Sequence, residues 1–182
     1  MARAPARLFT VLKRKLGSVP IIAEDLGLLT PEAEALRDRF AFPGMRVLQF
    51  AFGQDDSYHM PHNYPMRSVA YTGTHDNDTA RGWFLKAGKT GPKGGLSERQ
   101  RVLAYTGGKV KTLHRDLINT ALCSVADTAI FPVQDLLGLD SRARMNVPGT
   151  VRGNWTWRLK RGQLTKTLAR QLATQTTLVG RG

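Results

Sequence analysis

The first eighteen residues contain no acidic side chain, and neither does anything beyond Asp140. Acid is scarce throughout: 14 Asp and Glu stand against 27 Lys and Arg, a formal charge of +13. Cysteine is scarcer still. Cys123 is the single one, which excludes an internal disulfide, and no Cys/His cluster has zinc-ligand spacing. A reducing, cytoplasmic setting without metal or cofactor is therefore expected. No apolar run approaches the roughly 18 residues that a transmembrane helix requires, so no membrane partner is expected. The basic start (Arg3, Arg7, Lys13, Arg14, Lys15) lacks the long apolar centre of a secretory signal. Its Leu8, Phe9, Val11, Leu12 and Leu16 recur near helical spacing instead, which predicts a helix packing on a sheet.

A charge of +13 raises nucleic acid as a partner class. The distribution argues against a specific one. The basic residues after Asp140, from Arg142 to Arg181, are spaced among Gly, Asn and Trp, and no zinc-finger, RNA-recognition or helix-turn-helix pattern accompanies them. A solvated basic face is the expectation.

What the chain does have is apolar material, 41% of 182 residues, enough for one packed domain. Short apolar runs alternate with helical patterns, the signature of βα units and a parallel sheet. Strands are predicted at Pro20 to Ala23, Val47 to Phe52, Ser68 to Thr72 and Thr128 to Val133. Helices are predicted from Thr30, with Pro31 in the first turn, from Ser97, where Gln100 completes a capping-box spacing, over Thr112 to Asp127, and over Leu164 to Leu178. The Gly- and Lys-rich segment Leu85 to Leu96 reads as a surface loop within the domain, and it lacks the context of a phosphate-binding loop.

Each predicted strand is followed by a polar cluster: Glu24 and Asp25, Gln54 to Asp56, His75 to Asp78, and Gln134 with Asp135. In a parallel (β/α) barrel all strands deliver their C-terminal ends to one face, so such clusters converge there. Four βα units are half of the eight a barrel needs. Cleavage of a glycosidic bond requires a carboxyl group as proton donor and carboxylate near the developing oxocarbenium ion, which Glu24 and Asp76 could supply. Spacing alone leaves the bland alternative open, that these acids cap helices at strand-to-helix turns.

The wording of the sequence is more specific. The segments PIIAEDLGLLTPEAEALRDRF, FPGMRVLQFAFG, MPHNYP, YTGTHDNDTARGW, PVQDLLGLDSRARMNVPGT and GNWTWRL follow one another in this chain. In that order they closely resemble segments of amylomaltase-type 4-α-glucanotransferases, and the resemblance covers nearly the whole chain. It implies that residues 1–182 are the C-terminal half of a (β/α)8 TIM barrel. It implies a retaining transfer of α-1,4-glucan segments, with maltodextrin as substrate. By resemblance Glu24 is the general acid/base, Asp76 the carboxylate that holds the sugar hydroxyls and stabilises the transition state, and His75 a contact to the same sugar. Asp25, Phe50 and Asn146 are implied as substrate-lining, while a core role for Phe50 stays equally open. His62 is expected to be loop scaffold, and Trp83, Trp155 and Trp157 to pack on outer helices. The family's nucleophilic aspartate has no counterpart motif here. It is expected upstream of Met1, in an N-terminal half that would be this chain's partner, so the isolated chain is expected to be inactive.

Overall fold

The structure, a computed structural model, describes residues 3–54, 57–89 and 95–181, with side chains from Ala6 onward. Its frame is a small parallel sheet flanked by helices. Strands β1 (Gly44–Val47), β2 (Ser68–Tyr71) and β3 (Thr128–Ile130) lie in that order, all parallel, with Met45 opposite Val69 and Ala70 opposite Ala129. Ala23 adds an isolated parallel bridge to Gly44, and its N–H donates to the Pro43 carbonyl at 2.9 Å. The segment Pro20 to Ala23 thus takes a fourth place beside β1, reduced to a single bridge.

Local chemistry explains the helix starts. α1 (Arg3–Leu16) places Phe9 between Phe40 and Phe42, with ring centroids 5.3 and 5.0 Å away. α2 (Pro31–Arg39) begins at Thr30, whose hydroxyl accepts from the Ala33 N–H, with Pro31 where no hydrogen bond is lost. α3 (Ala80–Lys86) starts at Thr79 in the same way. α4 (Glu98–Thr106) carries both halves of the Ser97/Gln100 capping box. α5 (Leu113–Cys123) buries Leu113, Leu117, Ile118, Ala121 and Leu122, one face of a helix. After β3 come the short α6 (Val133–Leu136) and, past an irregular stretch, α7 (Lys166–Leu178), capped by Thr165. Arg181 then caps the end of α5, donating to the carbonyls of Leu122, Ser124, Ala126 and Asp127.

Several predicted boundaries shift. The run Val47 to Phe52 is not a strand: β1 ends at Val47, and Leu48–Phe50 is a 3₁₀ turn. The reason is packing. Leu48, Ala51 and Phe52 enter the core with Phe84, Val102 and Leu117, and an apolar run is buried in either conformation. The strand predicted at Thr128 to Val133 is β3 and stops at Ile130, ahead of Pro132, whose ring nitrogen has no N–H to give a ladder. Leu85 and Lys86 belong to α3 and not to the predicted loop, of which residues 90–94 lie outside the described residues. Among the described residues no helix is long and apolar enough to cross a membrane.

Candidate functional site

Because the strands are parallel, the chain leaves each of them at the same edge of the sheet. Glu24 follows Ala23, the 3₁₀ turn with Phe50 follows β1, residues 72–78 follow β2, and Phe131 and Pro132 follow β3. A cleft of about 1000 Å³ opens at this edge. Glu24, Phe50, His75 and Asp76, four of the six predicted site residues, line it together, and Glu24 and Asp76 are the two carboxylates that do so among the described residues. Tyr58, Tyr71 and Phe131 supply aromatic surface to the same walls. Such a cleft offers acceptors for hydroxyl groups and flat apolar faces for C–H groups, a combination that suits a sugar.

Asp76 sits in a turn that is pinned from within. The Asn77 side-chain carbonyl accepts from the Thr74 N–H (2.9 Å) and from the Thr74 hydroxyl (2.8 Å), closing the turn three residues back. Gln49 donates to the Asp78 carbonyl at 2.8 Å, and Gly73 allows its approach, since a Cβ there would lie 2.5 Å from Gln49 Nε2. The carboxylate of Asp78 ties the turn to Ser141 and Lys86 (2.7 and 2.6 Å). Asp135, 1% exposed, accepts from the Thr72 hydroxyl and the Ala80 N–H at 2.6 and 2.7 Å, stapling both ends of the segment to α6. Burial pushes the Asp135 carboxyl above its usual range, against those two hydrogen bonds. Gln134 is buried beside it and donates to the Ala143 carbonyl, so this polar pair supports the site and does not line it.

His75 Nε2 lies 3.3 Å from Asp76 Oδ1, and its ring tilts against Trp155 at 5.1 Å. Asn146 stands outside the cleft lining but reaches it through Asp76: its Nδ2–H donates to Oδ1 at 2.6 Å, and its backbone N–H donates to the His75 carbonyl. Trp155, expected on an outer helix, holds this position with a left-handed backbone (φ 60°), which a non-glycine residue adopts at a cost.

Asp25 is not brought to the cleft. It is 3% exposed, accepts from the Met45 N–H at 2.6 Å, and pairs with Arg37 (2.6 Å) and Arg46 (3.3 Å). A Cβ on Gly44 would run into its carboxylate, so this glycine makes room for it. Of the Gln54 to Asp56 cluster, Gln54 lines the cleft, and residues 55–56 lie outside the described residues. His62 bonds the Tyr105 hydroxyl at 3.1 Å, as loop scaffold would. His59, a residue not among the six candidates, lines the cleft with its ring against Tyr58 and Phe50. No group of three or more His, Cys, Asp or Glu that could hold a metal occurs among the described residues.

A family model described as 4-alpha-glucanotransferase matches residues 2–165. The chain belongs to that family. A 4-alpha-glucanotransferase of Synechocystis sp. is 48% identical over 98% of this chain and 35% of its own length. The 4-alpha-glucanotransferase of Thermus thermophilus is 47% identical over 89% of the chain and 33% of its own. Among solved structures, an amylomaltase from Streptococcus agalactiae in complex with acarbose superposes with a TM-score of 0.88 at 35% identity, covering 98% of this chain and 35% of that one. The chain thus spans about a third of the length of the relatives it matches.

Proposed function

We propose that this chain supplies the acid/base portion of a 4-α-glucanotransferase site, acting on maltodextrins or other α-1,4-glucans. The observation that carries the reading is the meeting of Glu24 and Asp76 in one cleft, at the C-terminal edge of a parallel sheet, in a chain of this family. In this reading the four places of the sheet are one half of an eight-stranded (β/α) barrel, and residues 1–182 form that half as one unit. Barrel enzymes build their sites at this edge.

Glu24 protonates the leaving glycosidic oxygen and then takes the proton from the 4-hydroxyl of the incoming acceptor. Asp76 accepts from hydroxyls of the reacting sugar and faces the positive charge that develops on its ring. His75 contacts the same sugar, Phe50 lies against a ring face, and Asn146 acts by holding Asp76. The attacking carboxylate of a retaining transfer stands about 5 to 5.5 Å from the acid, and we assign it to none of the carboxylates of this sequence. The acarbose carried by the Streptococcus agalactiae relative supports an α-glucan as ligand. The free, exposed Cys123 fits a reducing compartment, and we place the enzyme in the cytoplasm.

Disproportionation of maltotriose into glucose and longer maltodextrins tests the assignment. The 182-residue chain alone is expected to release no glucose. Joined to the part of the Synechocystis relative that it does not cover, it is expected to do so. Glu24→Gln in the joined protein should cost at least about 10²- to 10⁴-fold in rate, the usual contribution of a positioned acid. Near-normal turnover in that variant, or robust glucose release by the chain alone, would overturn the reading.

A further inference from the structure

We infer that His59 is a substrate-positioning residue of the cleft, donating a hydrogen bond from Nε2–H to a hydroxyl of the bound α-glucan while Nδ1 anchors the wall that carries Phe50. The inference rests on the glucan reading above and adds a contact to it.

The tautomer follows from geometry. His59 Nδ1 lies 3.1 Å from the backbone nitrogen of Val47, the last residue of β1, and accepts its proton. A nitrogen that accepts carries no proton, so in the neutral ring the proton is on Nε2. Nε2 has no hydrogen-bond partner among the described residues. The residue as a whole is 5% exposed, and the cleft is the open space that it lines.

The ring cannot turn to use this proton elsewhere. Tyr58 lies against it at 4.0 Å and Phe50 meets it edge-on at 5.3 Å. A flip would also strand the Val47 N–H. A buried, pre-aimed donor beside an exposed aromatic is how a site fixes a sugar's orientation: the aromatic takes the C–H face and the donor reads one hydroxyl. Burial and the nearby Arg46 guanidinium both disfavour a charged ring, with Asp25 opposing, so the donor and acceptor ends stay assigned near neutral pH.

The test is ¹⁵N-imidazole NMR of the 182-residue chain titrated with maltoheptaose. Free protein should show the Nε2–H tautomer of His59. Adding maltoheptaose should shift the Nε2 signal and protect its proton from exchange. His59→Asn keeps an acceptor near the Nδ1 position for Val47 and lacks the outer donor. It should weaken maltoheptaose binding about 2- to 12-fold, the range of one neutral hydrogen bond. If His59→Asn does not fold, the wild-type Nε2 titration decides alone. Should maltoheptaose move the imidazole signals of His75, which lines the same cleft, while His59 Nε2 stays unchanged, the inference fails and the glucan reading stands. Absence of any maltoheptaose-dependent shift would overturn both.

Discussion

Asn146 and Asp76, 70 residues apart in sequence, meet at 2.6 Å through Asn146 Nδ2–H and Asp76 Oδ1. The same oxygen faces His75 Nε2 at 3.3 Å. Arg144 reinforces the meeting, donating to the backbone carbonyls of Asp76 (2.6 Å) and Asn146 (2.7 Å). One carboxylate oxygen is thus engaged by the protein. Oδ2 has no hydrogen-bond partner among the described residues.

Asn146→Ala should therefore act on the site and not on the fold. The pair is exposed, so stability should change by no more than about 0.5 kcal/mol. Asp76 would lose the contact that fixes its rotamer, and transfer by the joined enzyme should fall on the order of tenfold, since a 1.4 kcal/mol loss is tenfold in rate. Thermal melts beside initial rates of glucose release check it; unchanged rates would show that Asp76 holds its place without Asn146.

Glu24 and Asp25 are adjacent, yet Glu24 lines the cleft and Asp25 is buried against Arg37 and Arg46. In an extended segment successive side chains point to opposite sides, so only one of two neighbours can face the cleft. Asp25→Ala should accordingly destabilise the protein by on the order of 3 kcal/mol, because it strands Arg46 and the Met45 N–H in a buried setting. Maltoheptaose affinity of the molecules that remain folded should not change. The denaturation midpoint and a binding titration separate these outcomes, and a loss of affinity at full stability would return Asp25 to the site.

How legible each feature was depended on how local its cause is. The starts of α2 and α4 are written in Thr30, Pro31, Ser97 and Gln100, within one helical turn, and they stand where the sequence placed them. That Glu24, Gln54, His75 and Asp76 share one edge also followed from pattern, because parallel order is implied by βα alternation, whereas Asp25, Gln134 and Asp135 are buried away from the cleft. The end of β1 was not legible: Leu48, Ala51 and Phe52 are buried as a turn just as they would be in a strand. Trp155 against His75, and His59 against Val47, arise from contacts between segments distant in sequence or from a fold-back of the chain. No residue type announces them.

Acid should expose the cost of a neutral His59. Its pKa is lowered from 6.5 to about 4 by burial and Arg46, so between those values the unfolded chain binds a proton that the folded one refuses. Stability contributed by this residue is complete above pH 6.5 and is lost as pH falls toward 4, by on the order of 3 kcal/mol. His59→Asn should flatten that part of the stability curve. Urea midpoints at pH 4.5 and 7.5, wild type against variant, measure it, and an equal slope in both would show that His59 does not titrate in this window.

Asp135 should give the opposite sign. Its folded pKa lies above 3.8, so the native state keeps a proton that the unfolded chain has released. Its contribution to stability therefore falls as pH rises from 3.8 through the raised pKa, and levels off beyond. Asp135→Asn separates charge from hydrogen bonding. The amide oxygen can accept from the Ala80 N–H and the amide nitrogen can donate to the Thr72 hydroxyl, so both bonds survive without a buried charge. What is lost is a negative charge at the start of α3, worth about 0.3 to 1 kcal/mol. Relief of desolvation offsets it, so stability at pH 7 should stay within about 1 kcal/mol of wild type, with the acid-side slope removed. Asp135→Ala has no such escape. It orphans a buried N–H and leaves the Thr72 hydroxyl without its partner, which should cost about 2 to 5 kcal/mol. Because Thr72 and Ala80 bracket the turn that carries His75 and Asp76, this variant should also lower transfer by the joined enzyme where Asp135→Asn does not. Denaturant unfolding across pH with initial transfer rates for both variants decides it: equal losses of stability and activity in Asn and Ala would mean that the charge itself, and not the pair of hydrogen bonds, holds the turn.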